Sequence, residues 1–406
     1  MVHTKEQILA GPAHGANGHA RNHEADKYLL ADESNRKPMD KRSEQSPISV
    51  KMARGMPARS SKKVLIVTTI VPFTRGGDRH MVDSLKLKFR EYGHEADLLL
   101  LPFSDDFTQI PKQLVALKLL HLEDYADRMV AVRTPSYIID HPNKACWFIH
   151  HHRGAFDLWN TRMQDMQAAP EGLAVRRLLA RSDNEGLASA KLIYANSHVV
   201  ARRLEKFNQI KAPVLYPPLK STRGFRCDRY GDYLLYVSRI SLIKRQHLAV
   251  EAMQYVKSGI KLLIAGNPDT PADRERMKKA VESSGAGDRI TVLDRYISEQ
   301  EKQELMANAL GCLYFPLGED SYGYVGLEAS YSEKAIITTS DAGGVLELVN
   351  HDCNGLVVNS DAASLARAMD RLYDDRAAAE RMGKASRRRV DELGISWDHV
   401  IEALLK

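Results

Sequence analysis

The stretch GEDSYGYVGLEAS, Gly318 to Ser330, places the carboxylates Asp320 and Glu328 eight positions apart. Glu319 stands beside the first, and Gly323 and Gly326 lie between them. An ionised carboxylate accepts two hydrogen bonds at once, which suits a vicinal diol. The free N–H groups of a helix start suit a phosphate. Phe315 and Pro316 end a short apolar run, and Gly323 permits a tight turn. A helix beginning at Tyr324 would then carry Glu328 about one turn inside. The same acids could instead cap the helix and lie on its surface.

Other groups with chemical potential also follow apolar runs. In VSRISLIKRQ, Arg239 and Lys244 stand five positions apart, a cationic pair that could neutralise a diphosphate or sit in a solvated basic loop. Gly343 and Gly344 precede another expected helix, so free N–H groups there would form an anion site, with Glu347 four residues after the first glycine. KACWFIHHHRGAFDLW ends a strand-like run in His150, His151, His152 and Arg153. Strand alternation would put His150 and His152 on one face, able to meet a hydroxyl, while Arg153 could hold an anion. Gly76 and Gly77 follow the first apolar run without forming a GxGxxG dinucleotide fingerprint, and they fit either a close backbone approach to a ligand or a plain turn.

The elements that would position these groups alternate along the chain. KKVLIVTTIVPF reads as a buried strand, HMVDSLKLKFREYG as an amphipathic helix and ADLLLLPF as a second strand. KACWFIH, KLIYANS and a short strand in APVLYPPL follow, with the helix VVARRLEKF before the last. Pro217, Pro218 and the irregular KSTRGFRCDRYGD read as a linker. Alternation then resumes through DYLLYV, IKLLIAG, RITVL, GCLYFPL, AIITTS and GLVV, and ISWDHVIEALLK closes as a helix with Trp397, Val400 and Leu404 on one stripe. The expected class is α/β, with two parallel sheets each flanked by helices. The expected divisions are a disordered extension over 1–60, a first Rossmann-like domain over 61–222, a second over 223–392, and a final helix over 393–406 packing back on the first domain.

Composition narrows the classes. The chain has 406 residues, 44% hydrophobic, which is enough for two cores. No apolar run reaches the ~18 residues of a membrane span. MVHTKEQILAGPAHG lacks a basic segment followed by an apolar core, so no secretory leader is expected, and Met52 or Met56 is an alternative start. Four scattered cysteines form no CxxC and imply reduced thiols rather than a zinc site. The net charge of +6 fits an anionic ligand, an acidic membrane surface or simply a mildly basic protein. The run Arg387-Arg388-Arg389 lies in an acid-flanked helical context, so nucleic-acid binding is not expected.

Seven segments in order resemble the retaining glycosyltransferases of family 4, the group 1 enzymes with the GT-B fold: PFTRGGDRH, WFIHHHRGAFDLW, YANSHVVARRL with LYPPL, VSRISLIKRQ, LIAGNPD, GEDSYGYVGLEAS and SDAGGVLELV. The resemblance covers residues 62–406. It implies two Rossmann-like domains facing a cleft, the first binding a glycan or lipid-linked acceptor and the second a UDP- or GDP-sugar. It further implies that Gly76 and Gly77 lie beside the donor phosphates and acceptor, and that His150 or His152 approaches the donor sugar. Arg239 and Lys244 would grip the diphosphate, with backbone N–H groups from Tyr324 and Val325. Glu328 would bind the ribose, and Tyr296 and Ile297 would lie near the base. The family's first acid stands eight before its second, so it is either Asp320 or, if Ser321 is an insertion, Glu319. The resemblance implies that this acid helps hold the donor sugar hydroxyls. The implied activity is retaining, metal-independent and cofactor-free sugar transfer in cell-surface polysaccharide assembly, in the cytoplasm, with peripheral inner-membrane contact as a further implication. The alternatives are a non-catalytic nucleotide-sugar binder on the same scaffold or a sugar-nucleotide epimerase.

Overall fold

A computed structural model describes residues 60–72, 77–161 and 166–406. The expected extension over 1–60 lies outside the described residues except for Ser60, and so does Gly76. The first half runs β1 (Lys63–Ile70), α1 (Gly77–Glu91), β2 (Glu95–Pro102), α2 (Ile110–Lys118), β3 (Arg128–Ala131), β4 (Lys144–Phe148), α3 (Gly172–Ala188), β5 (Leu192–Ala195) and α4 (His198–Asn208). Its five strands pair in parallel in the order β2-β1-β3-β4-β5.

The second half runs β6 (Tyr233–Val237), α5 (Gln246–Ala252), β7 (Lys261–Ala265), α6 (Pro271–Ser283), β8 (Ile290–Leu293), α7 (Glu299–Asn308), β9 (Gly311–Leu313), α8 (Tyr324–Tyr331), β10 (Ala335–Thr339), α9 (Val345–Leu348), β11 (Gly355–Val358), α10 (Ala362–Asp374), α11 (Arg376–Glu392) and α12 (Trp397–Leu405). Its strands are also parallel, ordered β11-β10-β9-β6-β7-β8. Both halves are doubly wound α/β sheets, as the alternation of apolar runs and helical periods predicts.

Parallel sheets need cover on both faces, and the first sheet shows how neighbouring residues supply it. Val67 and Phe148 join the cluster roofed by Leu114 of α2, Leu179 of α3 and Leu204 of α4. Their neighbours Ile66 and Trp147 join the opposite cluster, roofed by Leu85 and Phe89 of α1 and by Val400 and Leu404 of α12. The last helix therefore packs on the first sheet. Its stripe of Trp397, Val400 and Leu404 does this work, and the Trp397 indole N–H also bonds to the Leu219 carbonyl at 2.7 Å.

The strand expected in APVLYPPL is reduced to one bridge between Ala195 and Val214. Pro213, Pro217 and Pro218 have no N–H to donate, so the ladder cannot continue.

Each strand order reverses at one place: between β1 and β3 in the first sheet, and between β6 and β9 in the second. Chains leave such a pair of neighbouring strands in opposite directions, and the crevice beyond their carboxyl ends is where doubly wound sheets bind ligands. The segments after β6 and β9 are those that carry Arg239, Lys244, Glu319 and Asp320.

Leu404 is fully buried on the first sheet. Leu404→Ala should lower unfolding free energy by about 2–5 kcal/mol. Denaturant titration monitored by Trp fluorescence checks this, and a loss below about 1 kcal/mol would show that α12 contributes little to the first half.

Candidate functional site

The crevice at the second switch point is shaped by glycines and closed by cations. After β9 the chain passes Phe315 and Pro316 and reaches Gly318, where φ is +56°. Arg245 fastens this exit. Its guanidinium donates to the Phe315 and Pro316 carbonyls at 2.8 and 3.1 Å and grips both Asp341 oxygens at 2.8 Å. That hydrogen bonding pulls the Asp341 carboxyl down to about 2.

Glu319 then runs as a parallel bridge partner of Gly343. The approach is so close that a Cβ on Gly343 would stand 2.4 Å from the Glu319 carbonyl oxygen, and φ there is +74°. The expected free N–H groups of the Gly343-Gly344 turn are partly used: the Gly344 amide donates to the Glu319 carbonyl at 2.8 Å. The helix behind this turn spans only Val345–Leu348. The glycine pair therefore admits the 318–321 strap rather than presenting a full anion nest.

The strap sets its two acids to different partners. Glu319 binds Lys244, whose ammonium also donates to the Tyr314 hydroxyl at 3.1 Å. Asp320 binds Arg203 of α4, in the first half, and its carbonyl accepts from the Ser197 hydroxyl. Arg203 also meets Asp157 at 3.3 Å, and Asp157 holds Arg153 at 2.9 Å. Both acids were candidates for the first position of the signature pair. Only Glu319 shares a cluster with a predicted phosphate cation. Arg239, the other such cation, is paired with Asp269 at 2.8 Å and is largely exposed.

Beyond the strap, Gly323 adopts φ +71°, and a Cβ there would lie 2.3 Å from the Tyr314 ring. This fixes the start of α8, which no side chain caps. The Tyr324 and Val325 amides stand in its first turn. The Tyr324 ring lies 3.4 Å from where a Cβ on Gly77 would be, so the starts of α1 and α8 meet here.

Glu328 is 6% exposed. Its Oε1 accepts from Lys302 of α7 at 2.5 Å, while its buried Oε2 has no hydrogen-bond partner. Burial raises its pKa, and Lys302 opposes that rise. An acceptor left open in a buried, cation-held carboxylate is costly unless something donates to it. The predicted base-side residues lie just before α7: Ile297 is buried and Tyr296 is strongly exposed.

The histidine run does not continue the strand. β4 ends at Phe148, so the alternation that would pair His150 with His152 on one face does not apply. His151 is a core residue, packed on Phe148, Phe156 and Phe207 and bonded to Asn208 at 2.7 Å, with burial pushing its pKa down to about 4. His150 turns onto the His151 carbonyl at 2.7 Å. His152 lies 4.0 Å from Asp105, which with Asp78 flanks Arg133 at 3.9 and 3.5 Å. These acids sit beyond β2 and at the start of α1, on the first sheet's side of the crevice. Among the described residues, no group of three or more His, Cys, Asp or Glu side chains is placed to hold a metal.

A second contact joins the halves. The Glu347 carboxylate accepts from the His198 and Val199 amides at 2.9 and 3.0 Å and from the Tyr216 hydroxyl at 2.8 Å. It thus caps α4 from the other half, where unpaired N–H groups and the helix dipole favour an anion. Glu347→Ala should raise hydrogen exchange at the His198 and Val199 amides at least about fivefold, with strand amides of both sheets unchanged. Unaltered exchange at these two amides would show that the contact is not made in solution.

Residues 228–389 match the family model described as "Glycosyl transferases group 1". Among curated proteins, the chain is 31% identical over 187 residues to the alpha-maltose-1-phosphate synthase of Mycolicibacterium smegmatis, covering 44% of this chain and 48% of that protein. The chain thus spans about half the length of the curated relatives it matches. Sucrose-phosphate synthase from Thermosynechococcus elongatus superposes with a TM-score of 0.65 at 20% identity, covering 84% of this chain and 96% of the other. Anabaena HepE, solved with UDP and glucose, superposes at 0.60 and 14% identity, covering 84% and 99%. No helix among the described residues is long and apolar enough to cross a membrane. Residues 228–389 are thus similar to the group 1 glycosyltransferases, and the chain has the two-sheet GT-B fold.

Proposed function

We propose that the protein transfers a sugar from a UDP- or GDP-sugar to a glycan or lipid-linked acceptor, with retention of configuration. The observation that carries this reading is the buried Glu328 oxygen without a partner, one helical turn inside an uncapped helix start and across the same crevice from Lys244 and Glu319. A nucleoside diphosphate offers the matching chemistry: a ribose diol for Glu328 and phosphates for Lys244 and the amides of Tyr324 and Val325. Arg239 would reach the diphosphate by leaving Asp269. Gly77 would lie beside the donor phosphates and the acceptor, and His150 or His152 would approach the donor sugar.

Glu319 serves as the first acid of the signature pair and accepts from hydroxyls of the donor sugar. Asp320 is the alternative, and its use would require release from Arg203. In the transfer, the bond from the sugar's anomeric carbon to the diphosphate oxygen breaks. The acceptor oxygen bonds on the same face, and its proton passes to the leaving diphosphate. Lys244, Arg239 and the start of α8 stabilise the charge that develops on that diphosphate, so the reaction proceeds without a metal. Closure of the two halves on the donor excludes water. The setting is cell-surface polysaccharide assembly at the cytoplasmic side, with peripheral membrane contact.

A thermal-shift and hydrolysis screen over UDP-, GDP- and ADP-sugars tests this. At least one should stabilise the protein and turn over in the presence of EDTA. Glu328→Ala and Lys244→Ala should each weaken donor kcat/KM by about 100-fold. Loss of turnover with EDTA would overturn metal independence. Binding without turnover across donors and acceptors would favour a non-catalytic nucleotide-sugar binder. The absence of any stabilising nucleotide sugar would sink the proposal.

A further inference from the structure

We infer that Lys302 is a positioning residue for the nucleotide: by holding Glu328 Oε1 it keeps that carboxylate charged and leaves Oε2 as the acceptor for the ligand's diol. This rests on the reading of Glu328 as the ribose-binding acid. Sequence spacing did not single out Lys302, which lies on α7, 26 residues before its partner.

The geometry carries the inference. Lys302 is itself only 16% exposed, so its ammonium is held largely away from water between Glu328 at 2.5 Å and Glu299 at 3.0 Å, with the Phe225 ring 5.8 Å away. Glu328 lies in α8 with most of its environment drawn from neighbouring elements. Lys302 and Glu299 face it from α7, and Cys312 and Tyr314 face it from β9 and its exit. Tyr324 faces it from its own helix. Lys302 is the one cation among these groups. A carboxylate must be ionised to accept from two hydroxyls, and burial works against ionisation. Lys302 supplies the opposing charge and occupies one oxygen. The other oxygen is then charged and without a partner.

A lysine that merely stabilised the fold would raise melting temperature and leave ligand binding unchanged. The test therefore reads nucleotide affinity against pH, by calorimetry with UDP and GDP on the full chain. Lys302→Met should raise the Kd of the better nucleotide at least about tenfold at neutral pH. It should also move the acid limb of binding to higher pH. The sign follows from removing the cation that lowers Glu328's pKa, so the protonated, non-binding form persists further up the pH scale. Lys302→Arg keeps the charge and should fold as the parent does. Its acid limb should stay at the parent position, with at most a severalfold loss of affinity.

If the parent protein binds neither nucleotide, the ribose reading fails and this inference falls with it. If the parent binds but Lys302→Met shows the same Kd and the same acid limb, the inference alone is overturned. An acid limb in Lys302→Arg that shifts as far as in Lys302→Met would also overturn it, and that variant decides the matter should Lys302→Met fail to fold.

Discussion

Two consecutive carboxylates, Glu319 and Asp320, bound by cations from opposite halves of the molecule, hold the crevice together. In extended chain, successive side chains point to opposite sides, and the bridge to Gly343 keeps the strap extended here. One acid therefore turns towards Lys244 and the other towards Arg203. Neither charge is left largely desolvated without a partner, which would be expensive. The strap in turn depends on Arg245, which ties its root, and on Gly343, the only kind of residue that lets it pass at that distance. The start of α8, and with it the depth of Glu328, is set at the strap's far end by Gly323.

Much of this architecture is legible in the amino-acid order. Apolar runs separated by helical periods locate the neighbourhoods of ten of the eleven strands among the described residues, and both sheets, because a parallel strand buried on two faces must be almost wholly apolar. The exception is β3 (RMVA), which begins on an arginine and is followed by no α-helical period before β4. The bend at Gly323 and a helix that carries Glu328 also follow from residue type and helical spacing, whereas the inward position of Glu328 is one of two readings. The roles of Glu319 and Asp320 do not. A one-residue ambiguity in a loop exchanges which side chain faces which half, and only the pairing with Gly343 resolves it.

The partners of the candidate residues were the least legible. Lys302, Arg203, Tyr314 and Arg245 lie between 5 and 117 positions from the groups they contact. No local pattern relates them. Each sits in a helix, turn or strand exit where a Lys, Arg or Tyr ordinarily faces solvent. His151 errs in the other direction. A cluster of three histidines and an arginine suggests chemistry, yet the middle imidazole is packed among three phenylalanine rings and kept neutral. The run stops being a strand at Phe148, and the chain's turn carries His151 back into the core.

The packing of α12 has a consequence for how the chain is made. One face of the first sheet is roofed by α1 and by Val400, Ile401 and Leu404, and the Leu405 carbonyl accepts from Lys62 and Arg128 at 3.4 Å. During synthesis, β1 to β5 leave the ribosome well over a hundred residues before these side chains do. Nascent domains generally fold in order of emergence, but here the cover of one face is completed only after the second sheet has been translated. In that interval the face that includes Ile66, Val130 and Trp147 has the cover of α1 but lacks that of α12.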